Sequence, residues 1–130
     1  MKDESQQRVL VDEIRTHARV IATQVTKKRD AFFDPDDTAV RDSIEHRLEL
    51  IAEASGKLPK SFRRANPQVP WDELDEFRFM FAHPYEDATP APADHERAWH
   101  FALEQVPFID RRLDRPRFPK ASQREEATGP

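Results

Sequence analysis

The chain has 130 residues, no cysteine, 35% charged residues and a formal net charge of −4. This length suits one compact domain, and the lack of cysteine excludes disulfides and thiolate metal ligands. The N-terminus MKDESQQR lacks the apolar segment of a signal peptide, and no apolar run approaches the roughly 18 residues of a membrane span, so we expect a cytoplasmic protein without a membrane partner. Because the net charge is negative, any contact with RNA must use a local basic patch.

The distribution of glycine and proline favours an all-α protein. Only two glycines occur, and ten of the eleven prolines lie at residues 59–70, at residues 84–92 or from residue 107 onward, the exception being Pro35. These clusters separate helices from connections, because proline disrupts helix interiors. Gly56 follows a helical pattern and is predicted to be its C-terminal cap.

Two amphipathic helices are predicted in the first half of the chain. The first, from about Gln6 to Lys28, has apolar residues at steps of three and four. The second follows the capping sequence DPDDT and extends to SGKLP. Their apolar stripes are, respectively, Leu10, Ile14, Ala18, Ile21 and Val25, and Val40, Ile44, Leu48 and Ile51 with Ala52 or Ala54.

Two further helices follow the basic, proline-punctuated linker KLPKSFRRANPQVP. The third helix is short, and Asp94 is predicted to cap the last one, which Pro107 is expected to kink. We assign residues 1–113 to one helical bundle domain and residues 114–130 to a flexible C-terminal tail. The stripes of these helices are Trp71, Leu74, Phe77 and Phe81, and Trp99, Ala102 or Leu103, Val106, Ile109 and Leu113.

One apolar face on each helix and short connections predict an antiparallel bundle of about four to five helices. Phe32, Phe33, Phe79 and Phe81 exceed what a single narrow stripe can bury. A self-association surface is therefore expected, and with it a homodimer.

The window EFRFMFAHPYEDATP, residues 76–90, contains the residues best suited to catalysis. Arg78 and His83 would project roughly 140° apart on a continuous helix, but Pro84 disfavours helical geometry at His83 and so favours a swing of the imidazole toward Arg78. An imidazole can move a proton near neutral pH, and a guanidinium suits a phosphate. Together they could cleave RNA through its 2′-OH without a metal or other cofactor.

A purely structural interpretation of the same residues stays open. An arginine near Asp75 and Glu76 is commonly a solvated charge, and a histidine at a helix C-terminus often interacts only with the helix dipole. The linker residues Lys60, Arg63 and Arg64 are candidates for RNA binding, although a solvated loop explains them equally well. No metal site is expected, because the histidines lack metal-ligand spacing.

Residues 41–113 resemble the HepT-like family of the HEPN superfamily. The similarity is carried by IEHRLELIAEASGKL, by Pro67, Pro70 and Trp71 as P-x-x-P-W, by Arg78, His83 and Tyr85 as R-x-x-x-x-H-x-Y, and by a closing WHFALEQVPFI. Jointly these are far more specific than the Arg–His spacing alone.

The resemblance implies a dimeric helical bundle in which two Arg78–His83 pairs share an RNA-cleaving cleft. It further implies a toxin paired with an MNT-type nucleotidyltransferase antitoxin, and Tyr85 as the residue to which that antitoxin adds AMP. Added phosphate at Tyr85 would place negative charge and bulk where RNA phosphate must enter.

Phe79 departs from the family pattern, which commonly has Asn directly after the arginine. Phenylalanine cannot hydrogen-bond a ribose or orient the histidine. The alternative is therefore a catalytically inactive HEPN-type module that dimerises and binds a nucleotidyltransferase.

Overall fold

The structure is a computed structural model that describes residues 3–26, 29–82 and 92–119, without the side chains of residues 81 and 82. All regular secondary structure in these residues is helical, which confirms the all-α prediction. The elements are α1 Glu4–Val25, α2 Arg29–Phe32, α3 Ala39–Lys57, α4 Lys60–Ala65, α5 Trp71–Ala82, α6 Pro92–His100, a π-helical stretch Phe101–Gln105, and α7 Val106–Arg112.

Helix α1 begins at a reciprocal cap. The Asp3 carboxylate accepts from the Gln6 backbone N–H at 2.8 Å, and the Gln6 side chain accepts from the Asp3 backbone N–H at 2.9 Å. This arrangement satisfies two of the backbone donors that a helix start leaves unpaired. The whole predicted stripe of α1 is buried, as expected.

Helix α3 ends differently from the prediction. Asp37 accepts from the backbone N–H of Ala39 at its start. At its end, Leu58 is extended (ψ 141°), as is usual for a residue before proline. Gly56 lies inside the last turn, and no described glycine has a positive φ. The prediction that Gly56 caps the helix is therefore wrong.

Helices α1 and α3 pack antiparallel. His17 contacts Arg47, and Gln24 contacts Ser43, so positions advance in opposite directions along the two helices. Arg47 Nη1 donates to His17 Nδ1 at 3.0 Å. Burial, followed by the charge of Arg47, lowers the pKa of His17.

Helix α7 returns along α1. Arg15 of α1 pairs with Asp110 of α7 at 2.9 Å and with Asp114 at 3.0 Å. Arg29, which follows the C-terminal end of α1, pairs with Glu96 of α6. Helix α5 packs against α3. Among the described helices, α3 and the segment from α6 to α7 thus both run antiparallel to α1.

The chain from Pro92 to Arg112 stays helical through its proline. Helix α6 begins at Pro92, so Asp94 lies in the first turn and not at the predicted cap position. Just before Pro107 the helix widens, and the Val106 N–H donates to the carbonyl of Phe101, five residues back. A single π-helical turn inside an α-helix is one known way to accommodate such a break in the hydrogen-bond ladder. Of the two predicted core alternatives here, Ala102 is buried and Leu103 is 42% exposed.

Two of the four phenylalanines assigned to a self-association surface belong to the interior. Phe32 is fully buried against Trp99, with ring centres 5.1 Å apart, and Phe33 packs edge-on to Phe32. The short helix α2, which the sequence did not predict, directs Phe32 into the core. Phe79 is 63% exposed, and the side chain of Phe81 lies outside the described residues.

Residues 114–119, assigned to the tail, lie against the bundle. The buried Asn66 side chain donates to the carbonyl of Arg117 and accepts from its N–H, both at 2.9 Å. The Phe118 ring lies 5.5 Å from that of Phe62 and beneath the Arg8 guanidinium. The packed segment therefore continues past residue 113, and residues 120–130 lie outside the described part.

The core is one continuous cluster formed by all the longer helices. Within the described residues, no helix is both long and apolar enough to cross a bilayer. The largest fully buried apolar side chains of the core are Phe32, Phe62, Phe77, Ile14, Ile21, Ile44, Leu48, Ile51, Leu74, Ile109 and Leu113.

Candidate functional site

Arg63 and Asp75 form a two-pronged ion pair between α4 and α5. Arg63 Nη1 and Nη2 donate to the two carboxylate oxygens of Asp75 at 2.8 and 2.9 Å, and Nη2 also donates to the Ser55 carbonyl at 2.8 Å. The hydrogen bond from Arg63 lowers the pKa of Asp75, aided by the charges of Arg63 and Arg78 and opposed by partial burial. Asp75 is therefore ionised at neutral pH.

Trp71 holds Arg63 from another side. The guanidinium carbon lies 5.4 Å from the centre of the indole ring. The indole Nε1 donates to the carbonyls of Asn66 at 2.9 Å and Arg63 at 3.1 Å. Arg63, a predicted RNA-binding residue, is thus held by protein contacts, whereas the other two, Lys60 and Arg64, are exposed.

Arg78 lies one turn beyond Asp75 on the exposed face of α5. Among the described residues it has no hydrogen bond or ion pair. Its side chain helps to line a hollow of about 270 Å³ where the C-terminal end of α3 meets α4 and α5. The lining residues are Gly56, Leu58, Lys60, Arg63, Asp75 and Arg78.

A larger open hollow of about 620 Å³ adjoins the first and shares Lys60 and Arg63 with it. Arg64, Trp71 and the prolines of the P-x-x-P-W motif contribute to its walls. The predicted basic residues and the motif therefore lie together, next to Arg78.

The structure does not test the whole predicted catalytic set. His83 and Tyr85 lie outside the described residues, so the approach of the His83 imidazole to Arg78 stays a prediction. Phe79 exposes most of its ring next to Arg78 in sequence. An apolar side chain thus stands on the solvent side of α5, where the resemblance leads one to expect a polar one.

The buried Glu45 pairs with the partly buried His95, a contact that sequence reasoning missed. His95 Nδ1 and Glu45 Oε2 lie 2.6 Å apart, bridging α3 and α6. Burial raises the pKa of Glu45, and the contact with His95 partly opposes that shift. Their separation of fifty positions gave no sequence signal. In the described part of the chain, no three His, Asp or Glu side chains gather as a metal site.

A family model described as ribonuclease HepT-like matches residues 14–115. The chain belongs to the HepT-like ribonuclease family. The match covers the whole candidate site, including Lys60, Arg63, Arg64, Arg78 and the undescribed His83 and Tyr85. It also extends further toward the N-terminus than the resemblance seen in residues 41–113.

Individual relatives of this HepT-like chain support the same assignment. It is 27% identical over 79 residues to "Probable ribonuclease HepT" of Thermococcus cleftensis, covering 61% of this chain and 67% of that protein. It is 27% identical over 77 residues to a candidate RNase of Caldanaerobacter subterraneus, covering 59% and 64%. A candidate RNase of Methanocaldococcus jannaschii is 31% identical over 75 residues, covering 58% and 64%.

The aligned segments thus span about two thirds of the length of each of these relatives. No solved structure matches the chain.

Proposed function

We propose that this chain is a metal-independent endoribonuclease, the toxin of a type VII-like toxin–antitoxin system. Its membership of the HepT-like family supports this function. The observation that carries the proposal is Arg78, an exposed guanidinium beside a hollow that two further cations line. A guanidinium in that setting suits a transferring phosphoryl group, because its planar fork can donate to two phosphate oxygens.

The proposed reaction uses the ribose 2′-OH as the nucleophile. His83 takes the 2′-OH proton, the 2′ oxygen bonds to phosphorus, and the bond from phosphorus to the 5′ oxygen breaks. The departing 5′ oxygen takes a proton, leaving a 2′,3′-cyclic phosphate and a 5′-OH end. Arg78 stabilises the negative charge that develops on the non-bridging oxygens.

A homodimer completes the proposal, because a second His83 in a shared cleft can protonate the departing oxygen. Light scattering coupled to size-exclusion chromatography tests this assembly and is expected to give twice the chain mass. A monomer at micromolar concentration that still cleaves RNA would contradict a shared cleft.

The direct test of activity compares matched RNA and DNA oligonucleotides incubated with purified protein in EDTA. Cleavage of the RNA alone is expected, with cyclic phosphate ends, because DNA lacks the 2′-OH. His83→Ala should abolish it. RNA left intact by the wild-type chain at high protein concentration would contradict the nuclease proposal.

We further propose an MNT-type nucleotidyltransferase as antitoxin, acting by addition of AMP to Tyr85. Co-expression followed by mass spectrometry should show added AMP units, and Tyr85→Phe should remove them. An unmodified Tyr85 beside a demonstrably active transferase would exclude this mode of control.

The exposed Phe79 favours a second candidate function, an inactive module that dimerises and binds the nucleotidyltransferase. Phe79→Asn separates the two candidates, because it restores the polar residue that the family commonly has here. If the chain is a nuclease whose rate is limited by Phe79, this substitution should raise RNA cleavage. If neither protein cleaves RNA while both bind the transferase, the binding module is the better account.

A further inference from the structure

Gly56 occupies a position where glycine is not needed to end a helix. It lies inside the last turn of α3 without a positive φ, and the helix ends at the extended residue before Pro59. Glycine is among the poorest helix formers, because its backbone loses the most freedom on folding. A contact outside the helix must therefore explain why residue 56 is a glycine.

That contact is the side chain of Arg78. A Cβ atom on Gly56 would lie 2.9 Å from Arg78 Nη1, 3.3 Å from Cζ and 3.4 Å from Cδ. The guanidinium therefore lies directly against the backbone of α3, in space that any other residue would fill. A methyl group here would push the flexible end of Arg78 away, and the helix backbone would not have to move.

The hollow that Gly56 helps to line has more positively than negatively charged side chains among the described residues. Of the residues that the structure describes, Lys60, Arg63 and Arg78 line it together with one carboxylate, that of Asp75. Both Asp75 oxygens accept from Arg63, so that pair is internally neutralised. Among the described residues, neither the exposed Lys60 nor the exposed Arg78 forms an ion pair, so their charges suit a small anion.

We propose that the hollow that Gly56 helps to line is a phosphate-binding subsite for the RNA backbone, in which Arg78 and Lys60 contact one phosphodiester and Gly56 is the positioning residue for Arg78. This inference rests on the proposed ribonuclease function and adds to it the place where the substrate phosphate lies. Gly56 acts by leaving room for the guanidinium to lie against α3, beside the hollow that Arg78 lines.

The test is the affinity for a single-stranded 2′-O-methyl RNA, which cannot be cleaved, measured by fluorescence anisotropy. Gly56→Ala should weaken binding about tenfold, the loss expected for one charge-assisted contact. Its melting temperature should stay level or rise by a few degrees, because alanine favours the helix. A role of Gly56 in stability alone would leave the affinity unchanged.

Lys60→Ala provides an independent variant on the other side of the hollow. It should lower the slope of log K against log salt by about 0.7, the value for one phosphate contact with a single strand. Lys57→Ala is the matched control, because it removes an exposed cation next to Gly56 in sequence but outside the hollow. Its slope and affinity should remain near those of the wild type.

The outcomes separate the subsite from the nuclease. One outcome is that the wild type binds the 2′-O-methyl RNA, Gly56→Ala and Lys60→Ala bind it more weakly as expected, and RNA is never cleaved. In that case the subsite stands and the nuclease proposal fails. Equal affinity for wild type, Gly56→Ala and Lys60→Ala overturns the subsite even if RNA is cleaved. Failure of the wild type to bind the RNA also overturns it.

Discussion

Arg63 and Arg78 line the same hollow but have opposite surroundings. Arg63 is bound by Asp75, the Ser55 carbonyl and the face of Trp71. Arg78 is exposed, lies on a glycine and has no hydrogen bond within the described residues. A guanidinium with all its contacts inside the protein stabilises the fold, whereas one with open donors is available to a ligand. Two arginines of one basic surface can thus have different functions.

The largest expected effect is on catalysis, from Arg78→Ala. Loss of a group that stabilises charge in the transition state commonly costs about 10²- to 10³-fold in rate. The free energy of unfolding should change by less than about 0.5 kcal/mol, as is usual for exposed positions. Initial rates of RNA cleavage and urea unfolding measure the two quantities. A rate near that of the wild type would remove the distinction between the two arginines.

The next effect is on stability, from Arg63→Ala. This substitution removes charge-assisted hydrogen bonds to Asp75 and to the buried Ser55, so we expect a loss of about 1.5–3 kcal/mol in the free energy of unfolding. Arg64→Ala is the matched control, since it removes an exposed cation from the same short helix. Equal stability of the two variants would show that the contacts of Arg63 do not support the fold.

A smaller, pH-dependent effect is expected from the pair of Glu45 and His95. Because burial raises the pKa of Glu45 in the folded state, its contribution to stability is present below the unfolded pKa and is lost as pH rises through the folded one. Glu45→Gln keeps a hydrogen-bonding side chain and removes this titration. The stability of the variant relative to wild type should therefore increase as pH rises above the usual glutamate pKa of about 4.3.

Urea unfolding at several pH values measures this difference. Glu49→Gln is the control, because it makes the same change in charge at a more exposed side chain of the same helix. Parallel pH curves for wild type and Glu45→Gln would contradict the assigned role of burial.

The smallest effect is expected at the half-buried His17. Arg47 donates to its Nδ1, which requires a neutral ring, and its pKa is lowered by burial and by Arg47. For a lowered pKa, the stabilising contribution is present above the usual value of about 6.5 and is lost as pH falls toward the folded value. His17→Gln should reduce this loss as pH falls below about 6.5, as measured by thermal unfolding. His46→Gln, an exposed histidine nearby, is the control.

The helices were predictable because their apolar residues recur at helical spacing. The stripes of α1, α3 and the segment from Trp99 to Leu113 are buried much as expected. The short helices α2 and α4 were missed, since four and six residues are too few to show a period. Gly56 was misinterpreted because a glycine near a helix end usually caps it, and only the tertiary contact with Arg78 reveals another reason.

The candidate site was only partly predictable. Composition and spacing identified Arg78 and the basic residues 60, 63 and 64, but could not distinguish an arginine bound within the fold from one without a hydrogen bond to any described residue. That distinction depends on Asp75 and Ser55, which lie twelve and eight positions from Arg63 and meet it only in the fold. The pairing of Glu45 with His95 depends on tertiary packing in the same way.

The central claim is tested most directly by measuring RNA cleavage and melting temperature together for Arg78→Lys and Arg63→Lys. Lysine keeps the charge and loses the planar fork, so each variant reports whether the fork serves the substrate or the fold. We predict that Arg78→Lys melts as the wild type does and loses most of its cleavage. Arg63→Lys should melt at a lower temperature and still cleave RNA wherever it is folded. The reverse pattern, with Arg78→Lys active and Arg63→Lys inactive at full stability, would contradict the account.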